Sequence, residues 1–195
     1  MQSIKNQWGA TIKAACAMSS VPAAFLAALI ANESGGDPNA RRFEKNVLLA
    51  LWEVLLGRKE AYGSIDRARL VGFVSGHQTQ PAAVPTSLPA DTYQRLDSLA
   101  TSWGLTQIMG YNAMDAGIDR LKHPTASLWQ TTKLLAQFAH RFQLDPATDF
   151  PPLFACWNTG QPDPTRTFDP NYVANGESRM KIYADLIAND TDPGK

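Results

Sequence analysis

An excess of charge of either sign is missing from this sequence. Its 18 lysines and arginines are balanced by 18 aspartates and glutamates, so the formal net charge is zero. The balance excludes general nucleic-acid binding and a polybasic membrane anchor, since both rest on a surplus of cations. It does not exclude a local basic patch that holds an acidic polymer. Charged residues are also scarce, at 18%. Cysteine is nearly absent, with only Cys16 and Cys156. Each lies in apolar surroundings, where a buried small hydrophobe is the plain reading. Whether the two pair, and so the redox compartment, stays open. The three histidines, His77, His123 and His140, have no metal-ligand spacing and receive no role. No metal and no cofactor is therefore expected.

Long apolar runs are missing too. None reaches the ~18 residues of a membrane-spanning helix, so no membrane span is expected. Ala14 to Ala31 faintly resembles a secretory segment, but Ser19, Ser20 and Pro22 interrupt it and Asn32-Glu33 follows directly. It reads as two short helices, not a signal peptide. Internal repeats are absent. What is present is a 44% apolar content over 195 residues, enough for a real core. The length suits one domain, expected over 1–190, with an insertion around 58–90 and a flexible tail at 191–195.

The most informative stretch is Leu29-Ile30-Ala31-Asn32-Glu33-Ser34-Gly35-Gly36. It reads as the last turn of an apolar helix closed by two glycines. Upstream, Ser20 is a candidate cap and Pro22 fits a first turn. Phe25, Leu26, Leu29 and Ile30 then form one apolar stripe that Glu33 continues. A carboxyl group on a buried face resists ionising, and the negative end of the helix dipole acts in the same direction. Both effects favour the neutral acid, which is the form that protonates a glycosidic oxygen. The competing reading is an exposed acid at a frayed helix end.

The rest of the chain reads as mainly helical. Helices are expected over 4–19, 20–34, 47–56 (apolar nearly all round, hence buried, and ended by Gly57), 91–100 with Tyr93, Leu96 and Leu99 or Ala100 facing inward, and 124–142 opened by Pro124. A helix after Pro151-Pro152 carries Cys156-Trp157. A last one after Asp169-Pro170 runs through Ile187, weakened locally by Asn175-Gly176. No alternating strands stand out, although a short hairpin near 36–44 fits the turn residues. Gln78 to Pro89, with three prolines and no charge, reads as a surface loop or substrate-side insertion.

Four boxes occur in order: Glu33-Ser34-Gly35; Ser102-Trp103-Gly104-Leu105-Thr106-Gln107-Ile108-Met109-Gly110; Ala155-Cys156-Trp157-Asn158-Thr159-Gly160; and Tyr172-Val173. Together they resemble the lysozyme-like superfamily of soluble lytic transglycosylases and goose-type lysozymes. The phage and bacterial N-acetylmuramidases are closer still, through Phe43-Glu44 and the Ser102–Gly110 run. The resemblance spans Glu33 to Tyr183. It departs from the pattern at Cys156-Trp157, where a Tyr usually precedes the Asn, and in the roughly sixty residues between Glu44 and the central box.

The resemblance implies a mainly α, lysozyme-like fold (α+β with at most a minimal β-hairpin) that cleaves peptidoglycan at the β-1,4 bond between N-acetylmuramic acid and N-acetylglucosamine. Glu33 is then the general acid. Glu44 is the leading second carboxylate, ahead of Asp37, against a structural ion pair with Arg41, Arg42 or Lys45. Without a second carboxylate, relatives use the substrate's own 6-hydroxyl and release an anhydro product, so hydrolase and lyase both stay open. Gln107 and Asn158 have amides suited to acetamido groups. Ser102 and Thr106 are candidates to orient Glu33 or bond substrate; Trp103, Tyr111 and Trp157 are candidates to stack on sugars, against the reading of plain core residues. Tyr172 is expected to hydrogen-bond near Glu33. The expected partner is the glycan strand, met by a monomer in the periplasmic or extracellular cell wall. A thiol-hydrolase reading of Cys156 lacks any other motif of that class. The alternative from another class is a catalytically silent lysozyme-fold module that binds glycan or a protein partner.

Overall fold

A computed structural model of the chain describes residues 1–75 and 90–190. The Gln78–Pro89 loop, with His77 and the 191–195 tail, lies outside the described residues. Those described are mainly helical: α1 (Gln2–Cys16), α2 (Ala23–Glu33), α3 (Lys45–Leu55), α4 (Arg67–Val74), α5 (Ala90–Leu99), α6 (Pro124–Phe142), α7 (Phe150–Thr159) and α8 (Tyr172–Ala188). Five short strands accompany them: β1 (Arg41–Phe43), β2 (Ala61–Tyr62), β3 (Ile65–Asp66), β4 (Thr101–Trp103) and β5 (Ile108–Met109). Two compact units emerge. One comprises Met1–Ala40, Gly104–Thr106 and His123–Lys195; the other comprises Arg41–Trp103 and Gln107–Lys122.

The first unit is built around α2. Every residue from Phe25 to Ile30 is buried, so α2 is apolar all round rather than striped, as a central helix must be. Phe25, Ala28 and Leu29 join one cluster with Leu153, Phe154, Tyr172 and Val173. Leu26, Ala27 and Ile30 join another with Ile4, Ile12, Leu105, Leu128 and Tyr183. Each such Leu, Ile or Phe contributes about 1.5–3 kcal/mol over leaving it exposed. Pro22, in extended conformation, occupies the position before α2, and no side chain caps it. Ser20 is therefore not the cap; the fixed φ of proline sets the helix start instead. At the other end, the Ser34 N–H closes on the Ile30 carbonyl at 3.1 Å. Gly35 and Gly36 then take φ of 64° and 98°, which turns the chain away at no Cβ cost.

In α8, Gly176 is more than a weak point. A Cβ there would lie 2.7 Å from the Phe154 ring of α7, so the missing side chain lets the two helices close up. Phe154 in turn meets the Phe25 ring at 4.3 Å between centroids. Thus α2, α7 and α8 share one aromatic contact. Ile182 and Ile187 of α8 are exposed.

The second unit holds a three-stranded antiparallel sheet in the order β1-β4-β5. Arg41 is opposite Trp103 and Phe43 opposite Thr101. The 36–44 hairpin does not form. Its strand pairs with residues some sixty positions later, and β content exceeds one minimal hairpin because β2 and β3 form a second pair. Helix α3 is not buried all round either: Leu48, Leu51, Val54 and Leu55 are buried, while Leu49 is 49% exposed. The unit's core is small, so one face of α3 suffices to cover it. In α5, Leu96 and Leu99 face the core, but Tyr93 is exposed, its hydroxyl making solvent exposure cheap.

Candidate functional site

The first unit brings Glu33 and Tyr172 together. Glu33 is the last residue of α2 and half-buried. The Tyr172 hydroxyl, from the first turn of α8, donates to Glu33 Oε1. The bond spans 139 positions and joins the first and last sequence boxes. Burial pushes the Tyr172 phenol well above its ordinary value, and the adjacent Glu33 carboxylate pushes further. The phenol therefore stays protonated and remains a donor at any ordinary pH. One carboxyl oxygen is thus held in a fixed direction.

Two residues that sequence reasoning missed complete this arrangement. Asn32 Nδ2 donates to the Tyr172 carbonyl at 3.0 Å, and Arg179 Nη1 donates to Asn32 Oδ1. Arg179 also opposes the rise of the Tyr172 phenol through its positive charge. A usable signal was present: Tyr172, Gly176 and Arg179 recur at i, i+4 and i+7, which places them on one face of α8. Asn32 directly precedes the acid.

The central box is divided between the units. Gly104, Leu105 and Thr106 belong to the first. The Leu105 carbonyl accepts from Ser34 Oγ at 2.7 Å, which ties the box to the end of α2. Thr106 is fully buried and its hydroxyl shares a 2.7 Å hydrogen bond with Thr131 of α6. Its carbonyl accepts from the Trp157 indole at 3.0 Å. Trp157 packs against the α2–α7–α8 cluster. Thr106 and Trp157 therefore bond each other and the core. Asn158 Oδ1 accepts from the Phe168 N–H at 2.8 Å, so its amide oxygen anchors the loop after α7. Asp37 is exposed and its carboxylate accepts from the Asn39 N–H in a local turn.

In the second unit, Ser102 Oγ donates to Gln107 Oε1 at 2.7 Å. Gln107 has φ of 53°, a left-handed conformation that costs a non-glycine residue about 1–2 kcal/mol. It sits where the chain reverses between β4 and β5. Of the basic neighbours weighed for Glu44, Arg42 supplies the ion pair, with Nε 2.6 Å from Glu44 Oε1. At 73% and 34% side-chain exposure, such a pair contributes only about 0.2–1 kcal/mol. The Trp103 indole donates to the Ser98 carbonyl at 3.0 Å, and Lys122 Nζ lies 5.3 Å from its ring. Tyr111 meets Tyr62 edge-on at 5.5 Å, and burial pushes its phenol up to about 12.

Cys16 and Cys156 are both free thiols. Burial raises each to about 11, which leaves neither as a thiolate nucleophile near neutral pH. Among the described residues, no three His, Cys, Asp or Glu gather as a metal site requires, and no helix is long and apolar enough to cross a membrane. No family model, no curated protein and no solved structure matches this chain.

Proposed function

We propose that this chain cleaves peptidoglycan glycan strands at the β-1,4 bond between N-acetylmuramic acid and N-acetylglucosamine, as a lysozyme-like enzyme with Glu33 as its general acid. Four boxes in family order support the reading. The single observation that carries it is the bond between Tyr172 and Glu33, which joins the first box to the last at the end of a helix buried from Phe25 to Ile30. In this reading the Glu33 carboxyl gives its proton to the glycosidic oxygen as the bond breaks. Tyr172, which keeps its own proton, orients the carboxyl group through that step. Positive charge develops at the anomeric carbon. It is met either by water activated at a second carboxylate or by the sugar's own 6-hydroxyl, and Glu44 enters as that carboxylate on its sequence pattern alone.

Turbidity clearing of purified bacterial cell walls tests the proposal. Wild type is expected to clear them, and Glu33→Gln to lose roughly 10²–10⁴ in rate, the usual worth of a general acid. Equal clearing, or none from either, removes the enzyme and leaves a silent glycan- or protein-binding module. Mass spectrometry of the released fragments distinguishes reducing ends, from hydrolysis, from anhydro ends, from the transglycosylase route.

A further inference from the structure

The segment from Gln161 to Asn171, joining α7 to α8, is braced throughout. Asp163 Oδ1 accepts from the Thr165 N–H at 3.0 Å and from its hydroxyl at 2.7 Å. The Thr167 hydroxyl donates to the Asp169 carbonyl at 2.7 Å. Asp169 Oδ1 accepts from the Asn171 N–H at 2.9 Å, and the Tyr172 N–H donates to the Asp169 carbonyl at 3.0 Å. Pro162, Pro164 and Pro170 fix three further φ angles. Between the two side-chain-capped turns sits Phe168, whose N–H is held by Asn158 and whose side chain is 85% exposed.

A single exposed apolar residue is ordinary. Phe168 differs in how it is presented. It is the one large apolar side chain of its segment, on a backbone pinned by an asparagine from the third box. Four residues later comes Tyr172, bonded to Glu33. One aromatic ring is too small for a protein interface, which needs about 1,000 Å² of good contact. It matches the apolar C–H face of one pyranose, and the hydroxyls of that sugar would find acceptors in the flanking Thr167 and Asp169.

We propose that Phe168 is a stacking platform for one pyranose ring of the glycan strand, positioned by the Asn158 amide. The inference rests on the glycan reading above and assigns the Asn158 oxygen to holding the platform rather than to bonding an acetamido group. Because the ring is exposed, its replacement leaves the fold intact.

Pelleting with purified wall sacculi, on the non-cleaving Glu33→Gln background, measures binding without turnover. A soluble β-1,4 oligomer of N-acetylglucosamine serves as the second probe. Phe168→Ala is expected to weaken both by about threefold to tenfold, the range for one aromatic contact. Phe168→Trp should retain binding, and Phe168→Leu, apolar but not aromatic, should lose it. In the active chain, Phe168→Ala should raise KM and leave kcat within about twofold, the signature of lost ground-state binding. Unchanged binding in Phe168→Ala, or full binding in Phe168→Leu, overturns the platform. Failure of the wild type to clear walls overturns the cleavage reading alone, since the binding comparison does not depend on turnover.

Discussion

Tyr172 donates its hydroxyl proton to Glu33 across 139 positions of sequence, from the start of α8 to the end of α2. Behind it stand Asn32, which donates to the Tyr172 carbonyl, and Arg179, which donates to Asn32. The chain of donors runs from Arg179 on α8 to the carboxyl group of Glu33 on α2. Each link bonds a group that is at least half-buried, so removing one leaves an uncompensated polar atom.

Arg179→Met should therefore lower stability by about 1–3 kcal/mol in urea unfolding, the cost of stranding a partly buried polar partner. Tyr172→Phe should keep the fold but slow wall clearing roughly tenfold, as one hydrogen bond that orients the acid is worth. If the residues act as one unit, the double variant will be slowed no more than the worse single variant. Fully additive losses would show that Arg179 does not act through Tyr172.

Gly176 sets two rules against each other. Replacing a mid-helix glycine by alanine ordinarily stabilises by about 0.5–1 kcal/mol. Here the added Cβ would stand 2.7 Å from the Phe154 ring, and forced overpacking costs about 1–3 kcal/mol. The second effect is larger, so Gly176→Ala should lower the thermal midpoint. A rise would mean that α7 and α8 separate without penalty.

Two hydroxyls of α6 offer a contrast. Thr131 Oγ1 donates to the Ser127 carbonyl at 2.9 Å and accepts from Thr106, which makes Thr106 the donor of that pair. Thr131→Val strands the buried Thr106 hydroxyl and should cost about 1–3 kcal/mol. Ser127 Oγ is itself buried and has no hydrogen-bond partner among the described residues. Ser127→Ala removes that unmet group and should be neutral or stabilising. Urea midpoints for the two variants, compared with wild type, must move in opposite directions or leave Ser127→Ala at zero.

Alkali should weaken the fold. Burial raises Cys16 and Cys156 from 9.0 to about 11 and Tyr111 from 10.0 to about 12. Between those values the folded chain binds more protons than the unfolded one. Stability then falls as pH rises. The contribution is complete below pH 9 and is lost through about pH 12. Thermal midpoints at pH 8 and pH 10.5 check the sign. Iodoacetamide at pH 8 should label both thiols slowly when folded and rapidly in urea; fast labelling of folded Cys156 would contradict its burial.

Parts of this picture were readable from local pattern. Pro124 marked the start of α6, Gly57 the end of α3 and Gly35-Gly36 the end of α2, because proline and glycine act through their own backbone angles. The identity of α2 as an apolar helix carrying an acid at its end was equally plain. Strands β4 and β5 were hidden, since runs of three and two residues are too short to show alternation. Pairing of β1 with β4 depends on distant residues and leaves no local trace.

By itself the sequence determined the helical class, the turn positions and the ordered boxes that carry the proposed chemistry. Each is set by residues within a few positions of one another. Tertiary structure alone decided that α2 is enclosed from Phe25 to Ile30, that Tyr172 reaches Glu33, that Asn158 holds the Phe168 segment and that Gly176 must lack a side chain. Those relationships depend on where helices far apart in sequence come to lie, and close packing, not local propensity, selects that arrangement.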